Sequence, residues 1–170
     1  MVGSEVELRP VREPDFWIYE RQAVDPAVTG HFNWSGFRDL AATRRRFAED
    51  GLIGPDDGSL LVSVRGEAAG TVNWKRVSYG KPVWACWNIG IAMLPDFRGK
   101  GHGTTAQALL VRYLFDNHPL PRIEAYTDVD NVAEQRSLEK AGFQREGTIR
   151  SAQFREGRWR DLHLYAVIRN

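Results

Sequence analysis

Cysteine is almost missing from this chain: Cys86 is the only one among 170 residues. An intrachain disulfide and a cysteine zinc cluster are thereby excluded. His31, His102, His118 and His163 show no metal-ligand spacing, so no metal is expected. No Gly-x-Ser-x-Gly elbow announces a serine nucleophile. An excess of one charge is lacking too. The formal net charge is +1, which argues against a nucleic-acid partner while leaving room for a local basic pocket around one phosphorylated ligand. Met1 to Arg12 has no apolar core of a signal peptide, and no run reaches membrane-spanning length. The expectation is a cytoplasmic protein with no membrane partner. Repeats, low-complexity tracts and long linkers are also missing, so residues 1–170 read as one domain.

What is present is a mixed succession of elements. Val6 to Arg9 alternates as a first strand, and Pro14 suits the start of a helix through Phe16, Trp17 and Ile18. Ser35 is placed to cap a second helix running to about Glu49 and closed by Gly51. Its Arg44-Arg45-Arg46 run reads as a solvated face. Ser59 to Arg65 and Ala68 to Val77 form a hairpin around Gly66-Glu67. Trp84 to Leu94 is an apolar strand ended by Pro95. Thr104 to Asn117 has helical spacing, Arg122 to Thr127 is a strand, and Val132 to Ala141 is a helix stopped by Gly142. Phe143 to Phe154 and Arg158 to Ile168 make a closing hairpin at Glu156-Gly157. The fold class is α/β of the α+β kind: a mixed sheet of about seven strands with about four helices packed on it.

The most informative segment is Leu94-Pro95-Asp96-Phe97-Arg98-Gly99-Lys100-Gly101-His102-Gly103-Thr104, between a buried strand and a helix. Its alternating glycines free the backbone and remove side chains that would keep an anion from the amides. Helix-start N–H groups and the positive end of the helix dipole then suit phosphate oxygens, with Arg98 and Lys100 adding charge. The P-loop pattern fails, because Gly99-Lys100 is followed by Gly101. The dinucleotide fingerprint fails, because Thr104 stands where its third glycine belongs.

A second stretch agrees with this loop: Asp130-Asn131, then Leu138-Glu139-Lys140-Ala141-Gly142-Phe143. Together they resemble the Gcn5-related N-acetyltransferase (GNAT) superfamily, whose coenzyme A loop reads Arg/Gln-x-x-Gly-x-Gly/Ala. Glu146-Gly147-Thr148-Ile149-Arg150 and Trp159-Arg160-Asp161 with Tyr165 fit its RimJ/RimL-like branch, which acetylates ribosomal-protein N-termini and various small amines. The resemblance covers Trp84 onward well and the first third by element order alone. It implies a mostly antiparallel sheet, an enzyme that moves acetyl from acetyl-CoA to an amine, and a homodimer as a plausible assembly. It also implies that main-chain groups of Arg98, Gly99, Lys100, Gly101, His102, Gly103 and Thr104 hold the pyrophosphate. Ile91, Ala92, Met93 and Leu94 would pair with the pantetheine arm as an extra strand does, and Asn131 would contact that arm. The residues themselves keep a second reading of Asn131 open, a helix capping box with Glu134. Two departures stand out. Leu138 occupies the position where many relatives carry a proton-donating tyrosine, and Glu134 the position where many of the branch carry serine.

Acetyl transfer to nitrogen needs a proton acceptor, a positioned amine and a stabilised oxyanion. Strand alternation sets Asp161 and His163 on one face, either as a base pair or as a structural polar face. With Glu134 they are the candidate catalytic residues. Cys86, mid-strand among apolar neighbours, reads as a packing residue. His31, Phe32, Trp34 and Trp87 are candidate walls of an aromatic acceptor pocket suited to a small amine that is amino-acid-like, antibiotic or polyamine-like. The alternatives are a protein N-terminal acetyltransferase and a non-catalytic coenzyme A-binding sensor or scaffold.

Overall fold

Alternating apolar residues build an eight-stranded sheet in the computed structural model, which describes residues 2–3 and 5–169. The strands are β1 (Val2–Gly3), β2 (Val6–Pro10), β3 (Asp57–Val64), β4 (Glu67–Ser78), β5 (Ala85–Met93), β6 (Arg122–Asp128), β7 (Gln144–Arg155) and β8 (Arg158–Ile168). They lie in the order β1-β2-β3-β4-β5-β6-β8-β7. The strand beyond the expected set is the two-residue β1. The helices are α1 (Trp17–Val24), α2 (Pro26–Thr29), α3 (Ala41–Asp50), α4 (His102–Asn117) and α5 (Val132–Lys140).

The pleat sorts residues onto two faces. On one, Val72, Trp74, Ile89, Ile123 and Tyr165 bury against Ala106, Leu110 and Leu114 of α4 and Leu138 of α5. Each large apolar side chain so enclosed contributes roughly 1.5–3 kcal/mol. On the other face Leu61 joins Ile18, Val28, Leu52 and Leu94 in a second cluster with the N-terminal helices. Polar bonds fix α1 there: Tyr19 to Ser59 at 2.7 Å, and Gln22 Nε2 to Thr71 Oγ1 at 3.3 Å.

Two expectations change at element ends. The β3–β4 turn is Arg65-Gly66, one residue earlier than expected, both at positive φ as a two-residue hairpin turn requires. The helix expected from Ser35 begins only at Ala41. Gly36 sits at φ +102°, outside helical space, and Asp39 Oδ1 instead accepts from Ala41 N at 2.9 Å. A helical turn not anticipated, α2, starts at Pro26 with the Asp25 side chain accepting from Ala27 N. The arginine run is a solvated face: Arg44 pairs with Glu20 and Arg46 with Asp57.

One topological detail positions everything below. Among the described residues, β5 and β6 are the only parallel neighbours, and they pair solely at Trp87–Ile89 against Ile123–Ala125. Beyond Ile89, β5 stays with β4 as far as Met93, while β6 follows β8 to Asp128. Each strand keeps its antiparallel partner, the stronger pairing, and the weaker parallel contact opens. Among the described residues, the β5 edge that faces β6 has no neighbouring strand from Gly90 to Met93.

Candidate active site between two diverging strands

Two cavities meet at this opening, each of about 630 Å³. The first is a groove between the β5 edge, the loop into α4 and one side of α5. Ile91, Ala92, Met93, Arg98, Gly99, Gly101, Gly103, Thr104 and Asn131 line it, so most of the residues expected around a coenzyme come together. Gly99 and Gly101 take φ of +71° and +83°, conformations that other residues adopt only under strain. Gly101 precedes α4 with no side-chain cap, which leaves the first-turn amides of a sixteen-residue helix facing the groove.

Several side chains behave differently from expectation. The Arg98 guanidinium is spent on carbonyls, with Nε donating to Met93 O at 2.8 Å and the terminal nitrogens to Ala27 and Val28. It fastens α2 to the end of β5 while keeping its charge on the groove wall. Lys100 donates to Asp96 O and, with His102, lines a separate hollow that includes Glu5. Leu94 is buried in the second apolar cluster. Two further cations of the groove come from α5, Arg136 and Lys140, which engage no other side chain among the described residues. Helical spacing around the Asn131 motif holds the signal that could have found them.

The second cavity lies between the N-terminal helices and the sheet. Its walls are Tyr19, Gln22, Ser59, Thr71, Asn73 and Tyr126 together with Phe32 and Trp74. It is more polar than an aromatic pocket. Burial, and then the Glu124 carboxylate, push the Tyr126 phenol up, so it stays a hydrogen-bond donor. Of the expected acceptor residues, Phe32 alone lines both cavities. His31 opens onto the groove and pairs with Glu156 at 3.2 Å, and Trp34 lines a shallow hollow with Arg155 and Glu156. Trp87 is a core residue, 3% exposed and edge-on to His118, and reaches neither cavity. Phe32 is held from beneath: the Arg155 guanidinium lies over its ring, donates to its carbonyl at 3.2 Å, and forms a buried ion pair with Asp128 at 2.7 Å.

The proposed base pair on β8 is corrected by the pleat. Leu162 lines the second cavity, so Asp161 and His163 on either side of it turn the other way. Asp161 Oδ1 accepts from Ser151 N at 2.8 Å, supporting an irregularity in β7, and His163 Nδ1 meets Thr148 Oγ1 at 2.9 Å. Neither lines the groove or the second cavity. Cys86 is buried, and its thiol is pushed up to about 11 by that burial and then by Glu124, which disfavours a thiolate.

Glu134 and Asn131 stand at the junction and line both cavities. Half of the capping box forms: Asn131 Oδ1 accepts from Glu134 N at 3.3 Å. The other half does not, because Asn131 N donates to Asp128 O at 2.9 Å and the Glu134 carboxylate turns to Gln107. Burial pushes that carboxyl up to about 7, partly offset by the Gln107 bond. Among the described residues no group of three or more potential ligands is placed to hold a metal, and no helix is long and apolar enough to cross a membrane.

Comparison with known proteins fits this geometry. The family model of the acetyltransferase (GNAT) domain matches residues 5–144. An uncharacterized N-acetyltransferase p20 of Bacillus licheniformis is 26% identical over 151 residues, covering 85% of this chain and 82% of that protein. Three further N-acetyltransferases of Bacillus subtilis align over less than half of their own length. Among solved structures, the spermidine N-acetyltransferase of Vibrio cholerae in complex with CoA and spermine superposes with a TM-score of 0.82 at 17% identity, covering 98% of this chain and 97% of that one. An acetyltransferase of Salmonella typhimurium that modifies the N-terminal serine of 50S ribosomal subunit protein L7/L12 gives 0.79 at 19% identity, covering 99% and 97%. At such identities the two structures speak for a common fold.

Proposed function

This chain belongs to the acetyltransferase (GNAT) domain family and is an acetyl-CoA-dependent N-acetyltransferase; from that premise we propose that its acceptor is the primary amine of a small, amino-acid-like molecule held in the second cavity. The carrying observation is the unpaired β5 edge from Gly90 to Met93, which runs between the two cavities. Amides at the start of α4 suit the diphosphate of coenzyme A. The free strand edge suits its amide-bearing arm, which would add to the sheet as a strand does. The reacting carbonyl then falls beside Ile91, Ala92 and Asn131, where the second cavity opens.

The charges of that cavity bear on the acceptor. Its carboxylates are engaged: Asp57 with Arg46 and Asp128 with Arg155, while the Glu134 carboxyl stands near neutrality. A polyamine, with several cations to satisfy, finds there a single carboxyl outside an ion pair, that of Glu134. Lys75 has no ion-pair partner among the described residues, and Arg38 meets only the Gln22 carbonyl at 3.3 Å. Both suit an acceptor that carries its own carboxylate.

A panel of L-amino acids, their amides, an aminoglycoside, spermidine and a serine-initiated peptide, read by thiol release, tests this. Amino-acid-like amines should exceed spermidine in kcat/KM by tenfold or more. Preference for spermidine or for the peptide would overturn the acceptor assignment. Tight coenzyme A binding with no release across the panel would favour a sensor.

The groove cations give a second expectation. Replacing Arg136 and Lys140 together by glutamate should raise the KM for acetyl-CoA by about tenfold in low salt. The difference should shrink in strong salt, because exposed charges are screened. An unchanged KM would place the phosphates elsewhere.

A further inference from the structure

We propose that Glu134 is the proton carrier of the acetyl transfer: its unbonded carboxylate oxygen takes the proton of the acceptor nitrogen and returns it to the departing thiolate. This rests on the acetyl-transfer reading above. Among the described residues that line both cavities, Glu134 is the only one with an ionisable side chain. The reacting nitrogen and the thioester must meet where the cavities do, so this side chain touches the place where the proton is released and the place where it is consumed.

The carboxyl is also aimed. Oε1 accepts from Gln107 Nε2, and Oε2 has no partner among the described residues. Gln107 is 2% exposed and its amide is held from the other end, because Ser137 Oγ donates to its Oε1 at 2.9 Å. With that proton committed, Ser137 accepts from Thr104 Oγ1, also at 2.9 Å. The chain Thr104–Ser137–Gln107–Glu134 therefore runs in one direction, from the first turn of α4 to the junction. Gln107 is a positioning residue: it fixes which oxygen is free and favours the ionised form.

The chemistry balances with this one group. Ionised Glu134 accepts a proton as the nitrogen bonds to the acetyl carbon. The C–S bond breaks, and the same proton passes to sulfur, leaving N-acetyl product, free thiol and an ionised carboxylate. A carboxyl poised close to neutrality exchanges in both directions with little bias, which efficient acid–base catalysis requires. The tyrosine that many relatives use for the second transfer has no counterpart, since Leu138 at that position is completely buried in the core. Other ionisable groups around the junction have partners or stand further along the walls. Asp57 and Asp128 are paired, Tyr126 bonds Glu124, and Lys75 and Arg38 lie on the acceptor wall. Arg98 is spent on carbonyls, and His31 with Arg136 and Lys140 flanks the groove. Burial is what raises Glu134, with no charged neighbour among the causes.

The test compares wild type, Glu134→Gln, Glu134→Asp and Gln107→Leu with the fastest acceptor of the panel above, alongside calorimetric titration with acetyl-CoA. In wild type, kcat/KM should rise with pH through about 7, as the carboxylate forms. Glu134→Gln should lower kcat by about 100- to 1,000-fold and abolish this rise while acetyl-CoA affinity stays within twofold. Glu134→Asp should keep the rise at reduced kcat. Gln107→Leu should move it to higher pH, a change that a purely structural role would not produce. If Glu134→Gln bound acetyl-CoA normally and kept kcat within threefold with the rise intact, Glu134 would not be the carrier. If wild type failed to bind acetyl-CoA, the acetyl-transfer reading itself would fall.

Discussion

Gly101→Glu is expected to weaken acetyl-CoA binding by at least a hundredfold while leaving a folded protein. Gly101 stands at φ +83°, immediately before the uncapped first turn of α4. Any side chain there costs about 1–2 kcal/mol of backbone strain. A Cβ at this position would meet nothing within 4 Å, so the substitution creates no clash in the core. What it adds is a carboxylate beside the amides proposed to hold the diphosphate. Two like charges about 4 Å apart repel by roughly 4 kcal/mol at an effective dielectric constant near 20. Since each 1.4 kcal/mol is about tenfold in affinity, a hundredfold loss needs only part of that. Gly101→Ala separates the contributions, since it carries the strain without the charge and should lose about tenfold or less. Calorimetry with acetyl-CoA reads both. Wild-type affinity in the glutamate variant would mean that the diphosphate is not held at this loop.

The second large effect concerns the platform under the second cavity. Arg155→Leu should destabilise the fold by about 3–5 kcal/mol, because it leaves Asp128 buried without its counter-charge. Against a typical total of about 5–15 kcal/mol this is severe, and a displaced denaturant midpoint at unchanged slope would record it. Adding Asp128→Leu should recover part of the loss, since an apolar pair of similar volume often replaces a buried ion pair at little cost. Activity should not recover in parallel. Arg155 also holds the Phe32 carbonyl and ring, so the double variant should still show a raised KM for the acceptor. Full recovery of KM together with stability would show that Phe32 needs no such support.

The loop and strand edge that wall the groove were legible in the sequence because their signals are local. Glycines at 99 and 101 mark positive φ directly, and the strand–loop–helix order around them is contiguous. Lys100 misled because a basic residue in a phosphate-type loop has two uses: it bonds the Asp96 carbonyl and lines a separate hollow, whereas Arg98 stays on the groove wall. On β8, alternation correctly grouped Asp161 with His163. Which of the two faces opens onto the cavity depends on strands far away in the chain, and Leu162 turned out to hold that side. Trp87 and Trp74 are alike in the sequence, and only packing distinguishes the one beside His118 from the one at a cavity wall.

By itself the chain determined a mixed sheet with helices packed on it, a phosphate-type loop between β5 and α4, and a helix-capping asparagine beyond β6. All three follow from periodicities and backbone preferences that act over a few residues. Tertiary structure alone decided that β5 and β6 part after Ile89, that the second cavity gathers residues from Tyr19 to Leu162, and that the Glu134 carboxylate turns to Gln107. The reason is that desolvation and hydrogen-bond competition depend on which elements close over a side chain, and residues distant in sequence carry no spacing that records it.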